Sequence, residues 1–95
     1  MSLTDDLRKD MFTFFKEGNT YASDILKMAL ASIKNAQIAQ ESEMTAQDEE
    51  RILRKEVKKI EDSIAQFTLM GRNDLVEKEK SQLEILQKYL PELMS

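Results

Sequence analysis

With neither cysteine nor histidine among its 95 residues, the chain has no thiolate nucleophile, no imidazole base and no sulfur or imidazole metal ligand. The chemistry left to it belongs to guanidinium, ammonium, carboxylate and hydroxyl groups. Arg51, Arg54, Lys55, Lys58 and Lys59 form the densest cluster of cations. On a helix turning about 100° per residue, with Arg51 at zero, the other four fall near 300°, 40°, 340° and 80°, so all five share one side. Arg51 with Lys55, Arg54 with Lys58, and Lys55 with Lys59 stand four residues apart, where like charges oppose helix formation by about 0.2–0.5 kcal/mol per pair. Two readings account for that cost. The row is a ridge that binds phosphate, or it is a solvated face relieved by Glu50 with Arg54 and by Lys58 with Asp62. Glu79 falls on the apolar arc of its helix, where a carboxylate needs a partner. We expect it to be a structural polar group that takes a hydrogen bond from a neighbouring helix. A di-metal site in a bundle core would add Glu-x-x-His pairs that this chain lacks. No catalytic residue, no metal and no cofactor are therefore expected.

The elements that carry these residues read as all-α. Two glycines and one proline supply little turn chemistry, while Glu, Lys, Gln, Ala, Leu and Met are good helix formers. Ser2 with Asp5 reads as a capping box opening a first helix that stops at Gly18, with Leu3, Leu7, Met11, Phe14 and Phe15 on one face. A second helix runs from Thr20 to about Gln40 on Ala22, Ile25, Leu26, Ala29, Ile33 and Ala36. Lys27 and Lys34 point the other way. After a polar turn, Glu41 to Met44, Thr45 and Asp48 form another capping box, and a third helix is expected from Ala46 to Met70. Its seam is Leu53, Val57, Ile60, Ile64 and Phe67, opposite the bases. Gly71 suits a left-handed residue, and Asn73 is expected to cap a fourth helix carrying Leu75, Leu83, Leu86 and Leu90 until Pro91 ends it. Met11, Met28 and Met70 are expected to fill gaps in an aromatic-poor core. The fold class is thus all-α, an antiparallel bundle of about four helices with two long central ones.

Residues 1–95 have room for a single domain with a modest core. No apolar run is long enough to span a bilayer, and the N-terminus lacks the basic start and apolar stretch of a secretory signal. A soluble, cytoplasmic protein is the expectation. The formal net charge of −4 is spread evenly along the chain. Any polyanion binding must then come from a local basic face. The stretch Tyr89 to Met94 keeps apolar residues to the end of the chain, and a protein partner covering it is the second candidate interaction.

Lys58-Lys59, Asp62-Ser63-Ile64, Gln66-Phe67, Gly71-Arg72, Asp74-Leu75, Lys78-Glu79, Ile85-Leu86 and Tyr89-Leu90-Pro91 follow one another in an order and spacing that resembles the YqeY family. Leu26-Lys27-Met28, Ile33-Lys34-Asn35-Ala36 and Thr45 extend the likeness over nearly the whole chain. That family is similar to the tail domain of the B subunit of glutamine-dependent tRNA amidotransferase. The resemblance implies a GatB/YqeY-like helical domain that holds tRNA, with Arg72 joining the five bases of the third helix. It also implies that carbon–nitrogen ligase activity with glutamine as amido donor belongs to the larger complex, so that this chain is not itself an enzyme. Two features depart from the family. A second, smaller helical unit normally follows the Leu-Pro junction and is expected to be missing here, and Ile60-Glu61 stand where many relatives are more basic.

Overall fold

The computed structural model describes residues 2–90, which form four helices and no strand: α1 (Leu3–Lys16), α2 (Thr20–Ala39), α3 (Ala46–Leu69) and α4 (Asn73–Gln87). Each start has a local cause. Ser2 Oγ accepts from the Asp5 amide, and Asn19 Oδ1 accepts from the Ala22 amide. At α3, Thr45 Oγ1 accepts from the Asp48 amide while Asp48 Oδ2 accepts from the Thr45 amide, which completes the expected box.

α1 and α3 stop in the same way. Gly18 has φ +82° and Gly71 has φ +71°, the left-handed conformation that only glycine adopts cheaply. Behind Gly18, the Asn19 amide reaches back to Phe14 O and the Gly18 amide to Phe15 O; behind Gly71, the Arg72 amide reaches Phe67 O and the Gly71 amide Thr68 O. In both turns the residue after the glycine is the N-cap of the next helix. That shared geometry corrects the expectation for Asn73, because the chain re-enters a helix one residue earlier and Arg72 takes the cap position. Arginine offers no acceptor, so α4 starts without a side-chain cap. At the far end, α4 closes at Gln87 with Lys88 as C-cap, ahead of Pro91. That proline, expected to end the helix, lies outside the described residues.

The core is Leu7 from α1, Ile25, Leu26, Ala29 and Ile33 from α2, Leu53, Val57 and Ile60 from α3, and Leu86 from α4. α1 packs along α2 and α3 along α4, whereas the two long helices meet each other over a shorter stretch. The fold is therefore two helical hairpins laid together, the natural outcome of two three-residue turns. Polar bonds cross between them. The Ser32 hydroxyl donates to Glu56 Oε1 at 2.7 Å, the Tyr21 hydroxyl to Lys78 O at 2.8 Å and the Tyr89 hydroxyl to Asp10 Oδ2 at 2.6 Å. Burial, and after it the bond to the Asp10 carboxylate, raises the Tyr89 phenol above its ordinary pKa.

Three expectations about packing need correction. Phe15 is exposed together with Phe12, because α1 has a single partner along most of its length and both rings lie outside that contact. Met28 and Met70 are exposed and fill no gap, which leaves Met11 as the methionine of that set packed against the core. Phe67, at the C-terminal end of the seam, is half-buried and stands apart from the core cluster that takes in Leu53, Val57, Ile60 and Ile64.

Candidate nucleic-acid interface

α3 rises about 36 Å over its 24 residues, and the burial of Leu53, Val57 and Ile60 decides which side faces water. Arg51, Lys55, Lys58 and Lys59 are exposed on the opposite side, whereas Arg54 is half-buried. Its Nε donates to Glu50 Oε1 at 3.1 Å, and its Nη2 contacts the same oxygen. Arg51 pairs with Asp48 at 3.3 Å and Lys59 with Glu56 at 3.4 Å. The relief expected from Glu50 toward Arg54 is present. Lys58 does not pair with Asp62. Among the described residues Lys55 and Lys58 have no carboxylate within ion-pair distance, so the ridge is four exposed bases of which two are already engaged on their own helix.

Arg72 stands at the corner between α3 and α4, exposed, with its Nη2 at 3.1 Å from Asp74 Oδ2. The guanidinium holds the Asp74 carboxyl below the usual carboxylate range, and the same bond raises Arg72 further above its own. Asp48 is likewise lowered, first by the Thr45 backbone amide, then by the Gln40 amide and the Thr45 hydroxyl. Asp48 is thus committed as an anion to its helix start and Asp74 to its pair with Arg72, and neither is suited to proton transfer near neutral pH.

Glu79 is half-buried on α4 and accepts no hydrogen bond from the described residues. The carboxylate that does enter the interior is Glu49, at 9% exposure. Its Oε2 accepts from the Thr4 amide at 3.0 Å and from the Thr4 hydroxyl at 2.6 Å. An anion from α3 thereby caps the first turn of α1, where unpaired amides and the helix dipole favour negative charge. The sequence reading missed Glu49, although it lies one turn before Leu53 on the same seam, a spacing that marks the position as inward-facing. Tyr89 and Leu90 pack onto the core, so the nearer part of the proposed C-terminal docking edge is turned inward. The remainder of that edge, as far as Met94, lies outside the described residues. Among the described residues no group of three or more acidic side chains gathers in a way that would hold a metal ion, and no helix is long and apolar enough to cross a membrane.

Comparison with known proteins agrees with this architecture. A protein of Schizosaccharomyces pombe described as uncharacterized is 35% identical over 86 residues, covering 90% of this chain and 70% of its own length. The pattern of the YqeY family, described as Yqey-like protein, matches residues 4–95. That match takes in all four helices but for the first residue of α1, and the chain belongs to the YqeY family.

Proposed function

We propose that the chain is a non-catalytic, cytoplasmic helical module that binds tRNA, or works beside a tRNA-dependent amidotransferase, through the outer face of α3. The observation that carries this reading is the pair Lys55 and Lys58, exposed, facing away from the buried seam and, among the described residues, with no carboxylate within ion-pair distance. Arg51 and Lys59 flank them, and Arg72 extends the same charge toward α4. Mobile ammonium groups on one side of a straight rod suit a phosphate backbone, which they meet as point charges without reading bases. A net charge of −4 makes such binding local and strongly dependent on salt.

Titrating labelled tRNA at several salt concentrations tests it. Log affinity should fall linearly with log salt. Lys55→Ala and Lys58→Ala should each flatten the slope by about 0.7–0.9, the contribution of one released counterion. Arg54→Ala should change the slope least, since its guanidinium is already occupied by Glu50. An absence of binding at low salt, or slopes that ignore Lys55 and Lys58, would overturn the reading.

A further inference from the structure

Away from the α3 ridge, α1 and α2 enclose a groove of about 480 Å³ whose walls include Arg8, Met11, Lys27, Leu30 and Lys34. Its floor is apolar. Among the described residues its three charged side chains are all cations and no carboxylate lines it, in a protein of net charge −4. Asp5 approaches Arg8 at 3.7 Å; among the described residues Lys27 and Lys34 have no carboxylate within ion-pair distance.

Helical geometry extends this face at both ends. Phe12 and Phe15 follow Arg8 and Met11 along the same stripe of α1, and Ile38 follows Lys34 along α2, by the three- and four-residue steps that share a face. Their exposures are 55%, 58% and 73%, so by helical position three large exposed apolar side chains continue these stripes beyond the ends of the groove. Exposed apolar surface gathered around a concavity marks an interaction site more than scattered residues do.

We infer that this groove docks an acidic amphipathic helix from a partner protein. Lys27 and Lys34 are seven residues apart and so stand about 10.5 Å apart along α2. Two carboxylates at i and i+7 on a helix lying along the groove have the same spacing. Between them, apolar side chains at i+3 and i+4 would meet Met11 and Leu30, the arrangement by which a helix is read in a groove. A bilayer surface cannot enter such a concavity. Nucleic acid would leave Phe12, Phe15 and Ile38 uncovered unless its bases were unstacked onto them. Burying that surface supplies affinity, while the cationic rim selects an acidic partner and rejects a basic one.

The probe is a designed amphipathic peptide of about 18 residues, a length that allows a helix to form on docking, with Leu in the apolar positions and Glu at i and i+7. Its partner forms are one with Lys replacing each Glu and one with Ser replacing each Leu. Titrated into the isotopically labelled full chain, the acidic peptide should shift the amides of Arg8, Met11, Lys27, Leu30 and Lys34 and leave those of Lys55 and Lys58 in place. Lys27→Glu with Lys34→Glu, two exposed changes that preserve the fold, should weaken the acidic peptide by about tenfold or more and strengthen the Lys peptide. Removing the Leu stripe should abolish binding. The inference is overturned if the acidic peptide leaves these amides unmoved, if the double charge reversal leaves its affinity unchanged, or if tRNA or phosphatidylglycerol vesicles perturb the groove more strongly than the peptide does.

Discussion

Glu49 and Asp48 are adjacent carboxylates in the first turn of α3 with different tasks. Asp48 closes its own helix start, held by the Thr45 amide. Its pKa is lowered on folding, so its contribution to stability is complete above the ordinary carboxylate range and is lost as pH falls through the depressed folded value. Asp48→Asn should therefore be less stable than the parent in urea titrations at pH 7, and the difference should close in acid. Glu49 instead reaches across to α1. Glu49→Ala leaves the Thr4 amide and hydroxyl without their acceptor and should cost about 1–3 kcal/mol. Glu49→Gln keeps one acceptor oxygen and should cost less, again by urea midpoint. Charged residues were legible as charges in the sequence; that Glu49 rather than Glu79 turns inward depends on which helix start lies opposite it.

Both hairpin turns rest on a left-handed glycine, and a Cβ placed at Gly18 or Gly71 would meet no atom within 4 Å. The cost of substitution is then purely one of backbone conformation. Gly71→Ala should lose about 1–2 kcal/mol, and Gly71→Asn less, since asparagine tolerates positive φ. Thermal unfolding followed by circular dichroism measures both. If Gly71→Ala were neutral, the turn would not be held in the conformation described. The elements themselves follow from spacing and caps: α1, α2 and α3 begin where Ser2, Thr20 and Ala46 imply. Asn73 misled because an asparagine near a helix start resembles a cap, whereas the turn geometry had already assigned that position to Arg72.

For the whole molecule, stability depends on the single cluster shared by all four helices. Leu53 is fully buried within it, while Leu69, on the same helix, is 89% exposed. Leu53→Ala should cost about 2–5 kcal/mol, and Leu69→Ala should stay within about 0.5 kcal/mol of the parent, both by chemical denaturation. A similar loss at the two sites would contradict the packing. The assembly leaves two separate cationic faces, on α3 and between α1 and α2, on an acidic protein. On the proposed readings each takes a different ligand because of what surrounds it: charge and water at Lys55 and Lys58, hydrocarbon at Lys27 and Lys34.

Taken alone, the sequence determined the four helices, the glycine stops of α1 and α3, most of the buried seam of α3 and the outward side of its bases, because period, capping and left-handed glycine are local properties of the chain. Tertiary structure decided the rest. The pairing of Arg54 with Glu50 follows from their four-residue spacing on one helix, but how far the guanidinium is covered depends on the neighbouring elements, and whether Phe12 and Phe15 are covered depends on which helices flank α1. The groove between α1 and α2 exists only when two faces from different segments are brought together, and periodicity within one helix carries no information about its neighbour.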